Sequence, residues 1–102
     1  MPGAGRGRFL AIIASVIWPM KLAKYVKFRE EKFGGVLFET RSEKVFTLNP
    51  TATAVVREIE AGSDEHAIPG RLKERFNDDT GVIEHEAAAF IAELRQKGLV
   101  ED

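Results

Sequence analysis

The sequence predicts an α+β fold of the winged helix-turn-helix type, with a three-stranded antiparallel sheet followed by a bundle of three helices. Short runs of alternating apolar and polar residues occupy positions 25–48, and this is the pattern of half-buried strands. Asn49-Pro50 then ends the strand pattern, because Asn favours the N-cap and Pro the first position of a helix. Beyond Pro50 the apolar residues recur at helical spacing, which indicates the bundle.

The predicted sheet is a meander of three strands. The first covers Tyr25–Arg29, the second Val36–Thr40 and the third Lys44–Leu48, with a turn at 30–32 and a connection at 41–43. No further strand pattern follows in the sequence. The sheet should therefore leave one edge unpaired, and an unpaired edge can accept an extended peptide as an added strand.

The first two helices differ in the clarity of their signals. The first should run from Pro50 to about Ala61 and end at Gly62. In the second, apolar residues recur every four positions, but Pro69-Gly70 falls inside the pattern, so either its first turn is distorted or the regular helix begins at Pro69. The residues predicted to face the core are Ala54, Val55, Val56 and Ile59 in the first helix and Ile68, Leu72 and Phe76 in the second.

The third helix has the clearest pattern and covers Ile83–Lys97. Asp78-Asp79 should cap its start, and Lys97-Gly98 its end. Leu99-Val100 should fold back onto the core as an apolar tail. The buried stripe predicted for this helix is Ile83, Ala87, Phe90, Ile91 and Leu94.

Charge divides the chain into two parts. Residues 1–32 contain seven Lys/Arg and two Glu, whereas residues 33–102 contain eight Lys/Arg and fourteen Asp/Glu. Because the first predicted strand begins at Tyr25, we divide the chain into a basic apolar N-terminal extension at 1–24 and a peptide-binding domain at 25–102.

The uncharged run Phe9–Met20 in the extension is shorter than the roughly 20 apolar residues that a spanning helix needs. Three interpretations remain open for it. It packs on the domain or on a partner, it contacts a membrane surface, or it reflects the choice of start site.

Several function classes are excluded or disfavoured by composition. The chain has no cysteine, which excludes disulfides and thiol chemistry and suits the cytoplasm. A net charge of −1 disfavours general nucleic-acid binding. His66 and His85 lie in separate elements without partners at metal-ligand spacing, so we predict no metal, cofactor or catalytic residue.

A family resemblance rests on the order of several motifs. They are Phe33-Gly-Gly-Val-Leu-Phe38, Lys44-Val-Phe-Thr-Leu-Asn-Pro-Thr-Ala52, Gly62, the ladder of Ile68, Leu72 and Phe76, and the closing Phe90-Ile-Ala-Glu-Leu-Arg-Gln-Lys-Gly-Leu99. Over about residues 26–100 the chain resembles the PqqD-like family of peptide chaperones and recognition elements for ribosomally made, modified peptides. The resemblance implies a non-catalytic protein that holds the leader of a precursor peptide and presents it to a modifying enzyme, often a radical SAM enzyme.

The resemblance also implies where the leader binds. The leader should add as a strand along Lys44, Val45, Phe46, Thr47 and Leu48, beside the third helix. On that helix, small Ala88 and Ala92 would allow close approach and Arg95 could pair with a leader carboxylate, although alanines also serve ordinary helix packing. The flank predicted for the helix is Glu84, Ala88, Ile91, Ala92 and Arg95.

Two other interpretations use the same elements. A winged-helix DNA-binding transcriptional regulator would read DNA with the third helix, but the carboxylates of Glu84, Glu86 and Glu93 would repel phosphate there. The free strand edge could also pair with a second copy of the chain and form a homodimer.

Overall fold

The computed structural model describes residues 20–102 and confirms the predicted α+β fold. A three-stranded sheet precedes three helices, and a short two-stranded ribbon joins the two ends of the described chain. The elements are β1 (Lys21–Leu22), β2 (Val26–Glu31), β3 (Gly34–Glu39), β4 (Lys44–Leu48), α1 (Pro50–Glu60), α2 (Ile68–Arg75), α3 (Val82–Gln96) and β5 (Val100–Glu101).

The main sheet has the order β2-β3-β4 and is antiparallel throughout. Its inner face carries Val26, Leu37 and Leu48, which are buried against the helices. β4 has the predicted bounds. The first turn lies at 32–33, later than predicted, because Glu30 and Glu31 continue β2 and pair with the two glycines that open β3.

The β1–β5 ribbon was not predicted. Lys21 lies opposite Glu101, and the Ala23 N–H donates to the Leu99 carbonyl at 2.9 Å. Met20 and Ala23 are buried in the core. Residues 20–24 of the predicted extension therefore pack on the domain, and the boundary at 24/25 stays a prediction.

The remaining part of the predicted extension, residues 1–19, lies outside the described residues. The three interpretations of the apolar run at 9–20 stay predictions.

The core forms where the three helices meet the inner face of the sheet. Most residues predicted to be buried are buried, including all four of α1, Ile68 and Leu72 of α2, and Ala87, Ile91 and Leu94 of α3. Ile83 and Phe90 are partly buried. Leu99 and Val100 are also buried, as predicted for the tail.

The burial predicted for Phe76 is wrong, because this side chain is 39% exposed. α2 ends at Arg75, and Asn77 adopts a positive φ of 56°, so the chain leaves the helix before Phe76 can face the core. Pro69 lies in the first turn of α2, in agreement with the alternative in which the regular helix begins near this proline.

Asp78 fixes the start of α3. Its carboxylate accepts hydrogen bonds from the Ile83 N–H at 2.9 Å and from the Thr80 N–H and hydroxyl. These donors, the Thr80 hydroxyl first, lower the pKa of Asp78 below the ordinary aspartate value. The cap predicted at 78–79 is confirmed for Asp78.

Gly34 permits the close contact between β3 and the end of β4. It has a φ of 148°, and a Cβ at this position would lie 2.2 Å from the Leu48 carbonyl oxygen. We expect Gly34→Ala to lower the free energy of unfolding by about 3 kcal/mol, since backbone strain and a backbone clash coincide. Urea unfolding monitored by circular dichroism would measure this change.

Gly70→Ala is the matched control. Gly70 lies within α2, and no atom would come within 4 Å of an added Cβ. This variant should gain roughly 0.5–1 kcal/mol from helix propensity. Equal unfolding free energies for Gly34→Ala and the wild type would contradict the close contact between Gly34 and the Leu48 carbonyl.

Candidate functional site

The outer edge of β4 presents main-chain groups that no described residue pairs with. The hydrogen bond from the Thr40 N–H to the Tyr25 carbonyl sets the phase of the sheet, because alternate residues of a strand bond to opposite sides. In this phase Lys44, Phe46 and Leu48 bond to β3. The N–H and C=O groups of Val45 and Thr47 consequently point away from the sheet.

A cleft of about 420 Å³ lies along the inner side of this edge, between β4 and α3. Buried Leu37, Leu48, Leu94 and Leu99 supply its apolar lining. Phe46 of β4 and Phe90 of α3 are only partly buried and also line it. The cleft therefore offers an apolar surface to any segment that lies beside β4.

The charged groups of the cleft lie on α3. Glu93 and Lys97 line it and form an i,i+4 ion pair with an N–O distance of 3.3 Å. Both side chains are about half exposed, so their pairing contributes only about 0.3–0.5 kcal/mol and leaves them free to exchange partners.

The structure divides the predicted site residues between two surfaces. The five residues of β4 lie at the free edge, and four of them, Val45 to Leu48, line the cleft. The residues predicted on α3 do not line it. Ala88, Ile91, Ala92 and Arg95 line a separate hollow of about 300 Å³ beside Glu65, His66 and Pro69.

The predicted flank therefore lies on the side of α3 that adjoins the start of α2. Glu84, one turn before Ala88, does not line the cleft either, and Ile91 is buried. The α3 residues that do line the cleft are Phe90, Glu93, Leu94 and Lys97. Their spacing is helical, but the sequence gives no signal that this flank, rather than the other, adjoins β4.

Arg95 forms ion pairs with Glu65 and with Asp102 at the surface of the domain. Its guanidinium donates to the Glu65 carboxylate and to both carboxylate oxygens of Asp102, at 2.9 and 3.2 Å for Asp102. The Arg95 hydrogen bonds lower the pKa of Asp102 below the ordinary aspartate value. Arg95 is therefore engaged within the domain, beside the hollow that it lines with Glu65, and its pairing with a leader carboxylate stays a prediction.

No helix within residues 20–102 is long and apolar enough to cross a membrane. The same residues contain no group of three or more His, Asp or Glu side chains that could hold a metal ion.

A winged-helix-like α+β domain with a free sheet edge beside an apolar cleft defines the class of this protein. The chain belongs to the family of coenzyme PQQ synthesis protein D (PqqD), whose sequence profile matches residues 34–100. The resemblance drawn from the sequence motifs is thus confirmed.

Solved structures share this fold. A lasso peptide synthetase B1 complexed with the leader peptide is 22% identical, with a TM-score of 0.68, over 81% of this chain and 98% of that chain. TbiB1 in complex with the TbiA(beta) leader peptide is 20% identical, with a TM-score of 0.68, over 79% and 94% of the two chains.

A third similar structure is the PqqD truncation of Methylobacterium extorquens PqqCD, described as a functional, stand-alone recognition element for ribosomally synthesised and post-translationally modified peptides. It is 24% identical, with a TM-score of 0.62, over 81% of this chain and 88% of that chain. None of the curated proteins compared with the chain matches it.

The contacts of Arg95 generate a prediction. Arg95→Gln removes the bonds to Glu65 and Asp102, so the Glu101 amide should exchange faster with solvent, because the Ala23–Leu99 bond places Glu101 in the hydrogen-bonded phase with Lys21. Hydrogen exchange measured by NMR would detect this.

Lys97→Gln is the matched control, because Lys97 faces the cleft and makes no bond to β5. It should leave exchange at β5 unchanged. If amide hydrogen exchange in β5 is unaltered in Arg95→Gln, the ion pairs of Arg95 do not stabilise the β1–β5 ribbon.

Proposed function

We propose that this protein binds the leader of a ribosomally synthesised precursor peptide by strand addition at β4 and presents it to a modifying enzyme. The observation that carries the proposal is the free edge of β4 directly beside the apolar cleft. Membership of the PqqD family supports it, and so do the leader peptides held by two proteins of the same fold.

Main-chain pairing accounts for part of the binding energy. Val45 and Thr47 each offer one donor and one acceptor to an added strand, and each hydrogen bond contributes roughly 0.5–1.5 kcal/mol net. Ordering the peptide costs about 1–2 kcal/mol per residue. Four hydrogen bonds cannot offset that cost for a strand of several residues.

Apolar burial in the cleft supplies the remainder. A large leader side chain that buries about 150 Å² of apolar surface would contribute roughly 4 kcal/mol. The partly buried rings of Phe46 and Phe90 and the buried Leu94 are placed to receive it. We therefore expect leaders with at least one large apolar residue facing the cleft.

The proposed site combines the edge strand with the flank of α3 that lines the cleft. It comprises Lys44, Val45, Phe46, Thr47 and Leu48 of β4 and Phe90, Glu93, Leu94 and Lys97 of α3. The proposed role is non-catalytic, in the cytoplasm. The receiving enzyme is, by the family resemblance, of the radical SAM class.

Removing an edge donor tests strand addition. Val45→Pro deletes an N–H that points away from β3, and proline is tolerated at such edge positions. Peptide affinity should fall about tenfold or more, while the free energy of unfolding changes little. Isothermal titration calorimetry would measure the affinity for a leader peptide whose gene lies near the gene of this protein.

Val45→Thr is the control for the side chain, because it keeps the backbone donor and a β-branched shape. Leu48→Pro should instead unfold the sheet, since its N–H bonds to β3. Binding by Val45→Pro equal to that of the wild type would rule out pairing at this edge.

NMR titration with the same leader peptide locates the binding surface on α3. Amide shifts should change at Val45–Leu48 and at Phe90, Glu93 and Lys97, the α3 residues that line the cleft. Ala88 and Ala92 should shift little, because they line the separate hollow beside α2. Changes confined to Ala88, Ala92 and the start of α2 would place the site on the other flank.

A further inference from the structure

The apolar cleft continues beyond the end of β4. A second hollow of about 310 Å³ shares Asn49, Ala52, Phe90 and Glu93 with the cleft, so the two form one groove. The continuation runs between the start of α1 and the first half of α3. β4 ends at Leu48, so side chains rather than a strand edge must recognise a peptide in this second hollow.

The charges of the groove differ between its two halves. Lys97 lines only the half beside β4, whereas Glu86 lines only the continuation, and Glu93 lies between them. Glu86 and Glu93 are seven residues apart on one face of α3, which places them about 10.5 Å apart along the axis.

The two carboxylates also differ in their partners. Glu93 is paired with Lys97, whereas Glu86 forms no ion pair with any residue in 20–102. Glu86 is exposed and therefore leaves an unpaired negative charge at the far half of the groove, where His85 and Glu93 are the other polar side chains of α3.

The direction of the peptide follows from the sheet. An added strand that continues the antiparallel pattern of β2, β3 and β4 runs opposite to β4. The residues that precede its paired segment then lie beyond Leu48, next to Asn49 and Glu86. Those that follow it lie towards Lys44.

We infer that the leader carries a Lys or Arg on the N-terminal side of its β4-pairing segment and that Glu86, assisted by Glu93, binds this cation in the second hollow. This inference rests on the proposed function, because it assigns a chemical class to one residue of the proposed ligand. A cation there gains a Coulomb partner without displacing the Glu93–Lys97 pair.

A displayed library of random peptides is the probe. Peptides selected on the full chain are screened again on Val45→Pro, and those that lose binding are synthesised in two forms, with the N-terminal basic residue kept or replaced by Gln. Affinities are measured by fluorescence anisotropy on the wild type and on Glu86→Gln. Glu84→Gln is the matched control, with the same charge change on the same helix but outside the groove.

We expect the selected peptides to be enriched in Lys or Arg on the N-terminal side. Glu86→Gln should weaken the basic form about threefold and leave the Gln form unchanged, and Glu84→Gln should affect neither. The charge reversal Glu86→Lys should weaken the basic form about tenfold.

The opposing outcomes separate the inference from the proposed function. Three outcomes for peptides that lose binding on Val45→Pro would overturn the inference alone. The peptides lack a basic residue on the N-terminal side, they carry it on the C-terminal side, or they bind Glu86→Gln as tightly as the wild type. A selection that yields no peptide sensitive to Val45→Pro overturns both.

Discussion

The alternation of backbone hydrogen bonds in a three-stranded sheet is the constraint on which the site depends. The pairing of Thr40 with Tyr25 fixes which residues of β3 face β2, and this in turn fixes which residues of β4 face outward. Edge strands are commonly protected by charges or prolines. Here the edge carries one charge, Lys44 at its start, and the next residue, Val45, is apolar and 62% exposed. The edge thus keeps the shape and apolar character that strand pairing requires.

The position of α3 determines whether an apolar cleft lies beside this edge. Asp78 holds the start of the helix through the Ile83 N–H, and Arg95 ties its last turn to Glu65 and to Asp102 after β5. Between these points, Ala87, Ile91 and Leu94 pack into the core. The buried contacts of Ala87, Ile91 and Leu94 hold the helix on the core, so Phe90 and Leu94 line the cleft beside Phe46 before any peptide arrives. Such preorganisation reduces the ordering cost that binding must offset.

The parts of the fold that local chemistry specifies could be predicted, and those set by distant contacts could not. Asn49-Pro50 marks the start of α1 because the Asn49 side chain accepts the Ala52 N–H. The β1–β5 ribbon joins two-residue strands from opposite ends of the domain, too short for any periodic pattern. The stripe of α3 identified its core face, but both flanks of that stripe have helical spacing. Only tertiary packing decides that Phe90 and Glu93 adjoin β4, whereas Ala88 and Ala92 adjoin α2.

In the proposed site, main-chain pairing at β4 would contribute affinity, whereas the side chains that line the groove would contribute selectivity. Hydrogen bonds to Val45 and Thr47 engage main-chain groups that every peptide possesses, so they cannot distinguish one sequence from another. Selectivity at the proposed site must come from the side chains that line the groove, and its charged side chains, Glu86, Glu93 and Lys97, all lie on α3. At the proposed site a ring or branched chain would be favoured between Phe46 and Phe90, and charge would be discriminated because Glu86 and Lys97 lie at opposite ends of the groove. A change of charge preference would therefore require substitutions on one flank of α3, whereas a change of apolar preference would also involve Phe46 of β4.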